Sequence, residues 1–270
     1  MRKLVLIALA FAASLHALVA APTQLTWYGH AAFKVTTPNE HVILIDPWIK
    51  NPLNKNAKED LEKLDKVDLI LISHGHFDHV GDAVEIAKRT KAKLVSTYDL
   101  GSAIVRKLGY PKEQAGLDTL GNAGGQLDLL DGEVQVAFIP AVHSSTINED
   151  GTTDPVPAGN PGGFLLTIRG GPSIYHTGDT DLFGDMALIP SIHKVDVMLA
   201  CIGDHYTMGP SRAAKAVELV KPSMVIPMHF ATFPALTGTV DAFRSALEQP
   251  DLKVPLKLMT VGQTIDLPAP

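Results

Sequence analysis

The chain has 270 residues and a mass of 28.9 kDa. Hydrophobic residues make up 46% of it and charged residues 19%, which is enough apolar material for a packed core and excludes general disorder. The 29 acidic and 23 basic residues give a formal net charge of −6, so we expect no binding to a nucleic-acid backbone. A single cysteine, Cys201, excludes an intramolecular disulfide and a zinc site built from thiolates.

The first 21 residues have the pattern of a secretory signal peptide. Arg2 and Lys3 precede an uncharged apolar run over residues 4–20, which ends in small residues. An uncleaved membrane anchor is the alternative, but the run is short for a bilayer, which needs about 20 apolar residues. The pattern predicts cleavage, export to the periplasm or the cell exterior, and no stable membrane insertion of the mature chain. Residues 22–270 then form one domain.

Short apolar runs along the mature chain predict strands near its start and alternating strands and helices later. Asp131-Gly132 predicts a hairpin turn with two residues at positive φ. This order favours two sheets packed face to face with helices outside them, a four-layer α/β sandwich. The predicted strands are Leu25–Tyr28, Phe33–Thr36, Val42–Ile45, Leu69–Ser73, Leu94–Ser96, Leu127–Leu130, Val134–Pro140, Phe164–Ile168, Ser173–His176, Val197–Ala200, Met224–Pro227 and Leu256–Thr260. The predicted helices are Asp82–Thr90, Ser102–Leu108, Pro210–Val220 and Val240–Leu247.

A cluster of histidines follows the predicted strand Leu69–Ser73. Alternate side chains of an extended segment point the same way, so His74, His76 and Asp78 can converge on one point, and His79 follows as the chain turns. Imidazole and carboxylate ligands suit zinc, iron or manganese. The alternative is an exposed polar loop, which would require this spacing after a buried strand to arise by chance. The cluster therefore predicts a metal site.

The motif His74-x-His76-x-Asp78-His79 resembles the defining motif of the metallo-β-lactamase superfamily. The rest of that family's pattern is found in order, as His143 after one strand, Asp179 after another and His229 in the last third of the chain. The similarity is closer to one branch, the UPF0173 or UlaG-like metal-dependent hydrolases. The segments that resemble this branch are Tyr28–Ala31, Ile45–Pro47, Asp204–Pro210 and Pro227–His229. The resemblance implies the αββα fold and a metal-dependent hydrolase of a small-molecule substrate.

The resemblance also implies a ligand set. His74, His76 and His143 would hold one metal, Asp78, His79 and His229 would hold a second, and Asp179 would bridge them. Two divalent ions, Zn²⁺ or else Mn²⁺ or Fe, would activate one water as a hydroxide nucleophile, which Asp78 and Asp179 would orient. True β-lactamases of the superfamily typically lack a bridging aspartate here, and one major class has a cysteine ligand instead. Cys201 ends an apolar strand and is predicted to be a small buried residue, so antibiotic hydrolysis is disfavoured.

The substrate is left open among an ester, a lactone and a phosphodiester. The UlaG-like resemblance implies a lactone, and a more distant similarity to N-acyl-phosphatidylethanolamine phospholipase D implies a phosphodiester. Arg169 and Arg212 are the only arginines between His143 and His229, and a phosphate site normally needs such cations, so a carbonyl ester or lactone is favoured. The alternative function is a metal-binding protein without catalytic activity on the same fold.

Several residues outside the ligand set are candidates for supporting roles. His30 lies in a turn near the centre and is a candidate for substrate contact or support of a ligand. His205 precedes a helix and is a candidate substrate-binding residue or proton donor. Asp46 is expected either to orient a ligand imidazole through a hydrogen bond or to stabilise the turn at Pro47. The other predictions place His176 in support or packing, and His41 and His193 at the surface.

Residues 144–163 are rich in Gly, Pro and Asp and predict a long loop without strand or helix. Because this loop follows His143 directly, we expect it, with His30 and His205, to shape substrate access and to contribute no metal ligand. An ordinary surface loop is the alternative.

Overall fold

The structure, a computed structural model, describes residues 21–148, 154–250 and 252–268. The predicted signal peptide lies outside these residues except for its last position, and so does the middle of the loop 144–163. Among the described residues, no helix combines the length and the apolar character needed to cross a membrane.

The first sheet has seven strands and is built mainly from the first half of the chain. β1 and β2 form an antiparallel hairpin followed by antiparallel β3, and β3 to β6 are parallel neighbours. A strand from the C-terminal end, β15, pairs with β1 and gives the order β15-β1-β2-β3-β4-β5-β6. The bounds are β1 Gln24–Trp27, β2 Phe33–Thr36, β3 Val42–Ile45, β4 Leu69–Leu71, β5 Lys93–Thr97, β6 Leu120–Gly121 and β15 Thr264–Asp266.

The second sheet has six strands in the order β14-β13-β12-β11-β8-β7. β7, β8, β11 and β12 are antiparallel neighbours, whereas β12, β13 and β14 are parallel. A separate two-stranded ribbon joins β9 to β10. The bounds are β7 Gln126–Leu129, β8 Val134–Pro140, β9 Thr146–Ile147, β10 Val156–Pro157, β11 Gly162–Ile168, β12 Ser173–His176, β13 Val197–Cys201 and β14 Met224–Met228.

Helices lie in the connections between the parallel strands, as crossover connections require, and the last helix follows β14. They are α1 Ala57–Glu62, α2 Phe77–Val80, α3 Ala83–Thr90, α4 Tyr98–Leu108, α5 Ile189–Ile192, α6 Pro210–Val220 and α7 Val240–Leu247, with 3₁₀ turns at Lys112–Gln114 and Gly184–Leu188.

Alternation along the strands assigns each face of the first sheet to a different core. Ile43 and Ile45 of β3 face the apolar layer between the sheets, whereas Leu44 between them packs with α1, α3 and α4 on the outer side. Both faces of β3 and β4 are therefore buried, which is why these strands read as continuous apolar runs. The second sheet packs on the same inner layer and is covered by α6 and α7. The four-layer αββα prediction is confirmed.

Two local predictions were wrong. Leu256–Thr260 forms no strand: Leu256 makes only an isolated bridge to Val225, because the chain then turns away through Gly262 to deliver β15 to the first sheet. The β7–β8 hairpin exists, but its turn lies one residue earlier, with Leu130 and Asp131 as the central residues at positive φ.

Candidate metal centre

The predicted ligands meet at one edge of the two sheets. β1, β3 and β4 run in the same direction, and so do β8, β12 and β14, because each pair is either parallel or separated by an antiparallel strand. The carboxyl ends of strands with a common direction lie at a common edge of the sheet. The residues that follow these six ends are His30, Asp46, His74, His143, Asp179 and His229.

Three histidines form the first group of nitrogen atoms. One ligand atom from each of His74, His76 and His143 lies within 4.8 Å of the others. His74 Nε2 is 3.0 Å from His76 Nδ1. A second group consists of His30, Asp78, His79 and His229, again within 4.8 Å.

Asp179 lies between the two groups and is 3% exposed. Its Oδ2 is 3.9 Å from His74 Nε2 and 3.7 Å from His143 Nε2 on one side. On the other side, Oδ2 is 3.0 Å from His229 Nε2 and Oδ1 is 3.3 Å from His79 Nε2. The carboxylate therefore faces both predicted sites, which is the position expected of a bridging ligand.

Asp46 fixes the orientation of two of the imidazoles. Its Oδ2 accepts a hydrogen bond from His79 Nδ1 at 2.8 Å and another from the Ser73 hydroxyl at 2.6 Å, and its Oδ1 accepts from the Ser73 backbone N–H. Since the Ser73 hydroxyl proton is used on Asp46, the Ser73 oxygen accepts from His74 Nδ1 at 3.0 Å. His74 is thus held as the tautomer whose bare Nε2 faces Asp179, and the His79 ring is turned so that its Nε2 faces the same carboxylate. Asp46 also stabilises the Pro47 turn, where Trp48 N–H donates to the Asp46 carbonyl.

His176 supports the turn that carries Asp179. The buried His176 ring donates from Nε2 to the Ala31 carbonyl at 3.0 Å and accepts at Nδ1 from the Gly178 N–H at 3.1 Å. Burial lowers the pKa of His176, which favours the neutral ring that this pair of bonds requires. The predicted supporting role of His176 agrees with this geometry.

His30 is fully buried and contacts Asp78 rather than the open cleft. Burial and the neighbouring His229 lower the pKa of His30 to about 4, so the ring is neutral. The pKa of Asp78 is lowered to about 2, because the hydrogen bond from His30 and the charge of His79 outweigh the opposing effect of burial. Neutral His30 therefore donates from Nε2 to Asp78 Oδ2 at 3.2 Å and accepts at Nδ1 from the Thr232 hydroxyl at 2.8 Å.

His79 differs from the other imidazoles. Burial lowers its pKa, but the carboxylates of Asp179 and Asp46 outweigh burial and raise that pKa well above its usual range, so His79 must release its Nε2 proton to bind a metal. The protonation states of His74 and Asp179 already suit coordination. Burial and the nearby His79 lower the pKa of His74 well below its usual range. Burial raises the pKa of Asp179, but His229 and His79 outweigh it and hold that pKa well below its usual range. His74 is therefore neutral and Asp179 ionised, as metal ligands must be.

Backbone strain accompanies the centre. His30, Asp46 and His229 have φ of 51°, 46° and 56°, in the left-handed region that side chains other than glycine rarely adopt. The His30 carbonyl accepts from the Trp27 indole and from the His229 N–H, which ties the two sheets together at this edge. Gly203 packs so closely that a Cβ there would lie 2.2 Å from the His229 carbonyl oxygen.

The donor atoms left without partners provide a test of whether this set fits a metal. His79 Nε2, His143 Nε2, His229 Nε2 and Asp179 Oδ1 are buried, make no hydrogen bond and converge on one volume. Buried polar atoms of this kind are costly unless something binds them. Nitrogen and carboxylate donors in this number suit zinc, manganese or iron, so the residues fit the metal that the motif predicts.

A cleft of about 540 Å³ opens onto the centre. His76, Asp78, His143, Asp179 and His229 line its floor. Ser144, from the loop predicted to shape access, also lines the cleft. The remaining lining residues were not predicted from the sequence: Phe77, Tyr206, Phe233 and Ala235. Phe77 and Tyr206 could have been predicted to line the cleft, since each lies inside a motif already assigned to the site.

Other predicted residues lie at varying distances from the centre. His205 is exposed, and its neighbour Tyr206 lines the cleft in its place. Cys201 is fully buried, and burial raises the pKa of its thiol to about 11, in agreement with a packing role. His193 is exposed as predicted. His41 is instead half-buried, because its Nδ1 bonds Glu133 Oε2 at 2.5 Å across the two sheets.

The described part of the loop 144–163 contains the short β9–β10 ribbon, which the prediction of a loop without strands missed. Two hydrogen bonds join the strands of the ribbon at one end: the Ala158 N–H donates to the Ser145 carbonyl, and the Ser145 hydroxyl donates to the Ala158 carbonyl. The Ser145 hydroxyl oxygen also accepts from the Gly75 N–H. Of this loop, Ser144 lines the cleft.

Comparisons with known proteins agree with this geometry. Residues 24–229 match the family model of the beta-lactamase superfamily domain. A UPF0173 metal-dependent hydrolase of Thermodesulfovibrio yellowstonii is 54% identical over 91% of this chain and 92% of its own length. The chain belongs to the UPF0173 metal-dependent hydrolases of the beta-lactamase superfamily. The resemblance found in the sequence is thereby confirmed.

Two less similar proteins match the chain over about the same range. The UPF0173 metal-dependent hydrolase of Archaeoglobus fulgidus is 41% identical over 90% of this chain and 98% of its own length. The structure of Igni18, a metallo hydrolase of Ignicoccus hospitalis, is similar with a TM-score of 0.78 and 37% identity, covering 91% of this chain and 98% of that one. The similarity to metal-dependent hydrolases therefore extends over nearly the whole of this UPF0173 protein.

Proposed function

We propose that this protein hydrolyses a small-molecule ester or lactone at a dinuclear metal centre. The observation that carries the proposal is the convergence of unpartnered buried donor atoms on Asp179 at the floor of an open cleft. His74, His76 and His143 would hold one ion and Asp78, His79 and His229 the other, with Asp179 facing both. Zn²⁺ is the ion we favour, with Mn²⁺ and Fe as alternatives because two carboxylates are present.

The bound metal would supply a nucleophilic water at neutral pH and polarise the scissile group. The chain's own residues hold the ligand side chains in position. Asp46 holds the His79 ring and, through Ser73, the His74 ring. His30 holds one oxygen of Asp78, and the other remains available to the centre. Asp78 and Asp179 are ionised, and a carboxylate can accept a hydrogen bond from water, so these two residues would orient the attacking water.

The charges around the cleft favour a carbonyl substrate over a phosphodiester. Of the described residues that line the cleft, none is a lysine or arginine. Arg212 bonds Asp181 at 2.7 Å, so this cation already has a carboxylate partner. A phosphate group normally requires at least one free cation beside the metal.

Metal analysis and a substrate screen test the proposal together. The purified protein should hold close to two equivalents of metal, and Asp179→Ala should lose most of it. A screen of lactones, thioesters and phosphodiesters, with metal-stripped protein as the blank, should find hydrolysis of carbonyl esters. Absence of metal under all reconstitution conditions contradicts the proposal. Full metal occupancy with uniform inactivity favours the alternative, a binding protein without catalysis.

The loop 144–163 is proposed to shape substrate access from the side of Ser144. Replacing residues 148–160 by a short Gly-Ser bridge should change KM or substrate preference while metal content stays the same. Unchanged kinetics would identify the segment as an ordinary surface loop.

Export is a separate proposal that rests on the composition of residues 1–21. Cell fractionation, together with the mass of the purified protein, tests whether the leader is removed and the mature chain leaves the cytoplasm. A full-length cytoplasmic product contradicts it.

A further inference from the structure

An exposed phenyl ring stands between two of the proposed ligands. Phe77, between His76 and Asp78 in sequence, is 67% exposed at the mouth of the cleft. Large apolar side chains that remain exposed beside a binding site commonly mark a surface that a ligand covers. Because Phe77 lines the same cleft as His76 and Asp78, that surface lies beside the proposed metal centre.

Phe77 belongs to a set of three rings that we call the aromatic wall, formed by Trp48, Phe77 and Phe233. Trp48 and Phe233 stack with centroids 5.7 Å apart, and Phe77 meets Trp48 edge-on at 5.6 Å and Phe233 at 6.3 Å. The wall is fixed from behind, because Trp48 and Phe233 also contact the buried His30 ring. Trp48 and Phe233 are therefore held in place, and a ligand can cover them at little cost in side-chain entropy.

Polar and apolar side chains line different parts of the cleft. Five of the proposed metal ligands line its floor, whereas Phe77 and Phe233 of the wall, with Tyr206 and Ala235, form its apolar sides. Among the described lining residues no lysine or arginine could neutralise an anion held against these sides. A charged group there would lose hydration without gaining a partner.

From these contacts we infer that the acyl part of the substrate is apolar and uncharged, and that it packs on the aromatic wall while its carbonyl lies over the centre. The inference rests on the proposed function and narrows it to neutral esters or lactones with an aliphatic or aromatic acyl group. Phe77 and Phe233 would then determine specificity, since they contact the acyl group and not the reacting atoms.

Methyl acetate, methyl butanoate and methyl hexanoate form a test series without aromatic rings, and acid release in a pH-stat follows their hydrolysis by the metal-loaded protein. Burying one methylene contributes enough to raise kcat/KM up to about fourfold, so we expect a rise of about two- to fourfold per added methylene. Monomethyl succinate, which carries a carboxylate at the end of its chain, should be hydrolysed at least about tenfold less efficiently than methyl butanoate.

Phe77→Ala and Phe233→Ala should each flatten the dependence of kcat/KM on chain length, and the metal content of both variants should match that of the parent. Phe233→Ala lies outside the ligand motif and keeps the test valid if Phe77→Ala disturbs folding. Tyr98→Ala is the matched control, because Tyr98 is 50% exposed and is not among the residues that line the cleft. Its dependence on chain length should match the parent.

A binding measurement separates the inference from the proposed function. 2-Butanone, 3-hexanone and 3-octanone have the shapes of the three esters but cannot be hydrolysed, and calorimetry with the metal-loaded protein gives their Kd values. Kd should fall with chain length in the parent and in Tyr98→Ala, and should change less in the two phenylalanine variants.

Ester hydrolysis that is independent of chain length overturns the inference and leaves the proposed function intact. Retention of the parent's dependence in both phenylalanine variants overturns it as well. Ketone binding that depends on the wall, without hydrolysis of any ester, supports the apolar ligand and contradicts the proposed ester hydrolysis.

Discussion

Replacing Asp46 by asparagine should weaken metal binding although Asp46 contacts neither the cleft nor a predicted metal position. The carboxylate is fully buried and accepts three hydrogen bonds, from the Ser73 backbone, the Ser73 hydroxyl and His79 Nδ1. An amide of the same shape offers one acceptor oxygen and directs N–H donors at the other partners. His79 can accept from that amide only if its proton moves to Nε2, the nitrogen that faces Asp179.

The expected magnitude follows from these bonds. Loss of an orienting carboxylate typically lowers metal affinity by about 10–100-fold. Leaving one or two buried donors without acceptors costs about 2–4 kcal/mol of folding free energy, which corresponds to a fall in Tm of roughly 5–10 °C for a domain of this size.

Metal retained after dialysis against graded chelator concentrations measures the affinity, and thermal unfolding measures the stability. Asp68→Asn is the control, because Asp68 also accepts a backbone N–H, from Val42 at 2.7 Å, but precedes β4 at the opposite edge of the sheet. It should hold metal like the parent. If Asp46→Asn retained its metal at the same chelator concentrations as the parent, Asp46 would not be needed to hold the His79 proton on Nδ1.

Three further predictions concern packing, pH and thiol chemistry. Gly203→Ala should lower stability by about 1–3 kcal/mol and release metal, because the added Cβ meets the His229 carbonyl oxygen; a parental Tm and metal content would contradict the close approach. The buried Glu133 carboxylate has a pKa below its ordinary value of 4.5, since hydrogen bonds from His41, Thr37 and the Asn39 N–H outweigh the opposing effect of burial. The ionised carboxylate therefore contributes stability that is complete above its ordinary pKa of 4.5 and is lost as pH falls through the lower folded value, so the Tm difference between the parent and Glu133→Gln should shrink in acid; a constant difference would contradict this. Cys201 should resist iodoacetamide at pH 8 in the native protein and react only in denaturant, as mass spectrometry would show; rapid native labelling would exclude its burial.

Local sequence pattern was sufficient for most elements. The strands Phe33–Thr36, Val134–Pro140 and Ser173–His176 and the helices Pro210–Val220 and Val240–Leu247 have the predicted bounds. Each combines an apolar run with turn or capping residues at its ends, so the deciding interactions are close in sequence. Leu256–Thr260 has the same local pattern but forms no strand, because the partner of this chain end is β1, more than 230 residues away.

The residue types of the predicted ligand set could also be read from the sequence, since histidine and aspartate at motif spacing already indicate their chemistry, and the structure brings these side chains together. What the tertiary structure decided is which atoms face one another. The direction in which Asp46 holds His79, the contact of His30 with Asp78 instead of the cleft, and the aromatic wall of Trp48, Phe77 and Phe233 all join residues that are distant along the chain. No period or propensity encodes such contacts, because they depend on how two sheets align their carboxyl edges when their apolar faces pack together.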